Sequence, residues 1–572
     1  MLQTLKKFFY LMDRRMRINS LFIIMLQFIA GILELFSLAM IIPIIHLIMD
    51  PAGLDNYYKF IPFNEIFKNI SYANLINIII GLTVVIYVIK NCYLLIIQWY
   101  QQNFLKKFSV HICDKLFKVY LKKDLLFFND RNSGTFIKTL EKDSEGLNSH
   151  LSYAFSVILE VFIIISISIL LFLVQPVGMI LTILFYMAGV YLFIFIFKKK
   201  TKIWSTERFN IENTKLKYLK GIVESIRDIK LLNLENYYLN NYNSQNRNYF
   251  KIMMKHSIII NSPRLWIEVI SVSLIFTLVA VLIRFENIIS SDLLPILGLY
   301  VGSAFKLIPS FNKIISSIQG LRFIKPAINQ YYYDILEDEN LDEYNSSIKK
   351  IEFNDMLVFR NVTFGYENNN ILKDVSVEFK KGEKVGIYGD SGSGKSTFLD
   401  ILSGLILPQN GEVLVDGKNI NSNLKSWQKK ISYLSQSTIL IDDSIKNNIL
   451  MGDKENYDQN LYNQSIRDVK LDEFIKNLKQ KDFTAIGERG TKISGGQKQR
   501  IGLARVICLN RDILILDEST NAIDEKNEKE ILDKIWQNYK DKTIILVSHN
   551  KKNLSYCDTI YQFKNSNLIK FS

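Results

Sequence analysis

An apolar stretch long enough to cross a bilayer must satisfy every backbone N–H and C=O within itself, which makes it a helix. Crossing about 30 Å of hydrocarbon takes about 20 mostly apolar residues. Six blocks of the first 330 residues meet that length, roughly 19–49, 73–99, 152–174, 177–197, 257–283 and 292–318. The expected N-terminal half is therefore an α-helical membrane domain of six spans. The first block is not a cleaved signal: it is too long, has no small-residue cleavage site, and contains Pro43. Lysine and arginine cluster in "LKKFFYLMDRRMR", after the second span and in "FKKKTK" after the fourth. "VQPVG" and "RFENIISSD", between spans 3 and 4 and spans 5 and 6, carry no basic residue and one arginine respectively. The positive-inside rule then puts both termini in the cytoplasm.

Residues 351–572 read differently, as alternating soluble α/β sequence. At 572 residues the chain is too long for one core, and it divides into a membrane domain (1–330), a linker (331–350) and a soluble domain (351–572). The net charge of +14 is accounted for by cytoplasmic loops, so nucleic acid is not an expected partner. Cys92, Cys113, Cys508 and Cys557 form no CxxC pair, which argues against a disulfide framework or zinc site. The polar segments 100–150 and 198–256 are rich in helix formers and are expected to carry the helices into the cytoplasm. Turns are expected in 127–140 and 221–235. The aromatic segment 51–72 has two readings, a helix on the outer membrane surface or an ordinary extracellular loop.

The soluble domain carries the chemistry. Gly389, Asp390, Ser391, Gly392, Ser393, Gly394, Lys395, Ser396 and Thr397 form a G-x-x-x-x-G-K-S loop between an apolar strand and a helix. Glycines let backbone N–H groups wrap phosphates, Lys395 reaches the β/γ-phosphates, and Ser396 holds Mg²⁺. A second apolar strand ends in Asp517 and Glu518, as a metal-binding aspartate and a water-polarising carboxylate require. A third ends at His549. Three parallel strands ending in such residues make a phosphate site. Ser494, Gly495, Gly496 and Gln497 open a helix between these motifs.

In that order and spacing, SGGQ resembles the signature of ABC nucleotide-binding domains. Tyr366 in "FGYEN", Gln436 in "YLSQ", "GERG" at 487–490 and Asp524 in "NAID" stand where that family has its other motifs. The resemblance implies ATP and Mg²⁺ as cofactors. Tyr366 would stack on adenine, Gln436 would sense Mg²⁺, Glu518 would orient the attacking water and His549 would contact the γ-phosphate. Ser494–Gln497 would serve the ATP of the opposite subunit, so the chain would be a half-transporter working as a homodimer. Ile493, Asn521 and Asn550 depart from the usual residues without removing a catalytic group. Six spans before such a domain resemble an ABC exporter, with 127–140 and 221–235 as coupling elements, in a bacterial inner membrane with the nucleotide domain in the cytoplasm.

Lys90, Arg264, Lys306 and Lys313 lie in the spans, Lys306 and Lys313 on one helical face seven residues apart. They either line a cationic cavity for an anionic headgroup or are neutralised internally by Glu34, Glu160 and, for Arg264, Glu268. "SPRLWIEV" and "FKLIPSFNKIISSI" resemble PglK-type flippases of lipid-linked oligosaccharides, which implies a polyprenyl-pyrophosphate glycan as substrate. The competing reading is export of another amphiphile, such as lipid A core, phospholipid, a hydrophobic drug or a peptide. No cysteine-protease domain precedes the first span, which counts against a peptide-processing exporter.

Overall fold

The computed structural model describes residues 2–40, 72–131, 133–285, 290–339, 350–366, 369–451 and 457–571. Its contacts divide the chain into two compact units, residues 1–123 with 128–339, and 340–572 with 124–127. The expected outer segment 51–72 lies, except for Tyr72, outside the described residues.

The first unit is helical. Its long helices are α1 (Arg14–Ala39), α2 (Tyr72–Lys122), α3 (Ser144–Val174), α4 (Pro176–Glu224), α5 (Glu235–Asn261), α6 (Pro263–Phe285) and α7 (Ser290–Glu339). Five stretches among the described residues are long and apolar enough to cross a membrane, where six were expected. The expected sixth span, 292–318, lies in α7 but is not among them; polar residues such as Ser303, Lys306, Ser310, Asn312 and Lys313 dilute its described part. Helix α7 also runs on to Glu339, through residues expected to belong to a linker beginning at 331.

Helices α2, α4 and α7 each run for about 50 residues, well beyond one bilayer crossing. Proline fits the first turn of α4 because its missing N–H would be unpaired there anyway. The bend between α5 and α6 comes at Ser262–Pro263, where proline cannot supply the helical donor. Short helices occupy the two expected turns: Leu125–Asp130 and Ser133–Lys138 in the first, Ile226–Leu231 in the second. A π turn, Thr139–Asp143, leads into α3.

Lipid tails are as apolar as leucine, so packing and a few buried hydrogen bonds hold these helices together. Tyr186 stacks on Phe311 at 4.5 Å and shares a 2.7 Å hydrogen bond with Ser271. Trp266 donates to the Gly189 carbonyl at 3.3 Å, giving the "SPRLWIEV" stretch a packing role. Thr201 bonds Gln319, and Ser205 the Phe323 carbonyl, tying α4 to α7.

The second unit is α/β. Strands β1 (Met356–Tyr366), β2 (Asn369–Lys380), β4 (Asn410–Val415) and β5 (Lys418–Asn419) form an antiparallel sheet in the order β2-β1-β4-β5. Strands β3 (Lys384–Gly389), β6 (Ile431–Leu434), β7 (Ile513–Asp517), β8 (Thr543–Val547), β9 (Thr559–Lys564) and β10 (Asn567–Lys570) form the other, in the order β10-β9-β3-β8-β7-β6. β7 and β8 are buried at every residue, the pattern of parallel strands covered on both faces. Pairing is parallel from β9 through β6, so β3, β8 and β7 end side by side on one edge. That edge positions the site.

Candidate nucleotide site

The loop after β3 turns into α8 (Lys395–Leu402) through Gly394, whose φ of +110° suits glycine alone. A Cβ there would also press on the Ile371 side chain at 2.9 Å. The helix therefore starts with its unpaired N–H groups facing the loop, a ready anion site. Lys395 is buried and its Nζ donates to the carbonyls of Gly389 and Asp390, 2.9 Å each. Asp390, Ser391, Gly392 and Ser396 are exposed, while Gly389, Ser393 and Thr397 are partly so.

At the end of β7, Asp517 accepts from Tyr433 Oη at 3.3 Å and from Ser396 Oγ at 3.5 Å. Burial raises its carboxyl above the usual aspartate range, and neighbouring Glu518 adds to that. A cation between Ser396 and Asp517 would offset this cost. Asp400, on α8, is likewise pushed up to about 6 by burial and the Asp517 charge. Glu518 sits at φ +49°, an uncommon conformation for a non-glycine residue that often marks a functional site. Its carboxylate is buried and fully engaged: Gln436 Nε2 donates at 2.7 Å, Asn521 Nδ2 at 3.3 Å, and His549 Nε2 lies 2.6 Å away. Three strand ends thus bring Lys395, Ser396, Asp517, Glu518 and His549 together, with Gln436 from beyond β6.

Tyr366 ends β1 with an exposed ring, edge-on to Phe364 at 5.2 Å. Gln409 holds this strand end, pairing both the N–H (3.1 Å) and the C=O (3.0 Å) of Gly365. A side chain at Gly365 would collide with the Asn369 carbonyl. The SGGQ residues open α9 (Gly495–Cys508) with a capping box: Ser494 Oγ accepts from the Gln497 N–H, and the Gln497 side chain from the Ser494 N–H. Ser494 and Gly495 are exposed, so the helix start faces outward. Asp524 caps α10 (Glu525–Asn538), accepting from the Asn527 N–H at 3.1 Å. Tyr433, Asp400 and Gln409 were not singled out from sequence, since no local motif marks residues whose partners lie across a sheet.

The expected substrate residues are also placed. Lys90 pairs with Glu34 at 3.2 Å, both deeply buried, and Lys306 pairs with the other oxygen of Glu34 at 3.0 Å. Lys313 pairs with buried Glu160 at 2.9 Å. The stripe of free cations that the sequence allowed is therefore closed into ion pairs, because an unpaired ammonium in an apolar surrounding is costly. Arg264 is exposed and, among the described residues, forms no ion pair with Glu268. Helices α3, α4 and α7 line an open apolar cavity of about 640 Å³ whose walls include Ile165, Ile169, Phe172, Met187, Phe311 and Ile314, the first four exposed on its outer side.

Residues 20–301 match the family model of the ABC transporter transmembrane region, and residues 372–521 that of the ABC transporter. The chain carries both domains of an ABC transporter. It is thus a multi-pass membrane protein. Its fold is that of an ABC exporter: a bacterial Atm1-family exporter solved with ATP bound superposes with a TM-score of 0.75 at 20% identity, over 97% of this chain and 94% of that one. Among curated proteins, proposed multidrug export ATP-binding/permease proteins of Staphylococcus aureus strains NCTC 8325 and Mu50 are 37% identical over 212 residues. The match spans 36% of this chain and 36% of each relative's length.

Proposed function

We propose that the chain is half of an ATP-driven exporter that moves an amphiphile by alternating access. The observation that carries the ATPase reading is Glu518, held by Gln436 and His549 at the ends of parallel strands beside the phosphate loop. ATP supplies a phosphoanhydride whose cleavage drives the cycle. Backbone N–H groups of residues 389–397 and Lys395 hold the phosphates, and Tyr366 offers its ring to the adenine. Ser396 and Asp517, with Gln436 released from Glu518, would hold Mg²⁺, which would neutralise phosphate charge. Glu518 orients a water and takes its proton, while His549 fixes the carboxylate and approaches the γ-phosphate. The outward-facing start of α9, with Ser494, Gly495, Gly496 and Gln497, suits a phosphate from a second copy. Two chains then close around two nucleotides, with Asp524 at that interface. The nucleotide domain and both termini belong on the cytoplasmic side of a bacterial plasma membrane.

For the cargo, the apolar cavity and the paired lysines favour an amphiphile recognised mainly by its apolar body. The multidrug relatives fit that class. A polyprenyl-pyrophosphate oligosaccharide, the finer reading, requires Lys306 and Lys313 to leave Glu34 and Glu160 for the pyrophosphate. Their side chains are 37% and 62% exposed, so that exchange is sterically open. Proteoliposomes test both. ATP-driven movement of lipophilic dyes that survives Lys306→Ala/Lys313→Ala supports the apolar reading. Movement of a short polyprenyl-pyrophosphate oligosaccharide, lost in that double variant with basal ATPase intact, replaces it.

A further inference from the structure

The candidate coupling turn between α2 and α3 is tied to the membrane unit by a buried carboxylate that none of the sequence motifs includes. Asp334, near the end of α7, is 1% exposed. Both its oxygens are used: Oδ2 accepts from Tyr120 Oη of α2 at 2.7 Å, and Oδ1 from Arg131 of the turn at 2.8 Å and from Gln330 at 2.9 Å. Alongside, Tyr331 Oη donates to the Ile112 carbonyl at 2.6 Å, joining α7 to α2 a second time. Seven residues after Arg131 the turn is anchored again. Lys138 is fully buried, contacts Asp143 at 3.3 Å and lies 3.5 Å from the centre of the Phe209 ring of α4.

Ordinary surface turns are held by their own backbone and tolerate movement. This one is fixed at both ends by ion pairs in which Asp334, Lys138 and Asp143 are taken out of water, and buried charges persist only where the geometry is closely matched. The four residues just before it, Asp124–Phe127, group by their contacts with the nucleotide-binding unit, and Leu125 and Leu126 pack against that unit's core. α7 is also the helix from which the chain runs on toward that unit.

We propose that Asp334, with Arg131 and Tyr120, is a positioning latch. It fastens the coupling turn to α2 and α7 so that a displacement of residues 124–127 moves the spans instead of bending the turn. Asp334 contacts no nucleotide group; its role is to convert ATP turnover into membrane-domain movement. The proposal rests on the export reading above.

The test uses the full-length dimer in nanodiscs, its native cysteines replaced and a spin label at exposed position 206 of α4. The readout is the fraction of molecules whose inter-label distance shifts with ATP and vanadate, beside basal ATPase. Asp334→Asn and the milder Arg131→Gln keep hydrolysis near wild type and reduce the shifted fraction about tenfold, within the usual range of a coupling free energy. The charge swap Arg131→Asp/Asp334→Arg restores much of it, which a merely structural role does not predict. A full shift in both single variants overturns the latch. An ATPase-active wild type that shows no shift overturns the export reading itself.

Discussion

Loss of the Glu34 carboxylate would strand a buried lysine in the membrane domain. That carboxylate, 4% exposed, neutralises Lys90, whose side chain is 1% exposed and also lies 4.3 Å from the Tyr87 ring and beside Lys306, which shares Glu34. Glu34→Gln leaves the Lys90 ammonium buried without its counter-charge. Breaking a buried pair from one side costs about 3–5 kcal/mol, and insertion scales put a lysine at mid-membrane at about 2.5–3.5 kcal/mol. The two estimates agree on about 3 kcal/mol. Lys306 adds little, because its half-exposed side chain can reach water. Replacing both partners, Glu34→Gln with Lys90→Met, removes the orphan charge, and most of the loss returns. The assay is reversible unfolding of purified protein in mixed micelles, read as a double-mutant cycle. A Glu34→Gln variant within about 0.5 kcal/mol of wild type, the range of an ordinary surface change, refutes the reasoning. So does a double variant no more stable than the single one.

Further outcomes follow from the nucleotide domain. Glu518→Gln retains ATP binding and loses hydrolysis by at least about a hundredfold, the lower end of what a general base contributes, as phosphate release and nucleotide retention show. Gln409→Ala removes both hydrogen bonds to Gly365 and weakens ATP binding several-fold through the Tyr366 strand end, read by nucleotide titration. Ser494→Ala loses the cap of α9, about 1 kcal/mol of local stability, and lowers ATPase in mixed dimers even when the partner copy is wild type. Cys557, whose thiol burial pushes up to about 12, resists maleimide at pH 8 in the folded protein and reacts after denaturation.

Much of the nucleotide site was legible because its chemistry is local. The phosphate loop needs glycines at fixed offsets, and the acidic pair must follow an apolar strand, so neighbouring letters announce both. Expected residues Lys395, Ser396, Asp517, Glu518, Gln436 and His549 do meet. Gln409 and Tyr433 escaped because the partners that define them, Gly365 and Asp517, lie 44 and 84 residues away. The membrane half was legible as helices but not as pairings. Glu34 and Glu160 are the neutralisers that the sequence offers for the lysines, and they do pair with Lys90, Lys306 and Lys313; which carboxylate meets which lysine depends on helix packing that the sequence does not spell out. The alternative Arg264–Glu268 pair has i,i+4 spacing yet does not form among the described residues. Spacing on a helix permits a pair without requiring it.

The central claim is that Glu518-dependent ATP cleavage moves an amphiphile across the membrane. The direct measurement is ATP-driven transport of a lipophilic fluorescent dye panel into sealed vesicles holding the purified protein, wild type beside Glu518→Gln. The account predicts uptake by the wild type that requires ATP and Mg²⁺ and vanishes in the variant. Equal uptake by both proteins would contradict it, as would vigorous wild-type hydrolysis with no dye or lipid-linked glycan moved.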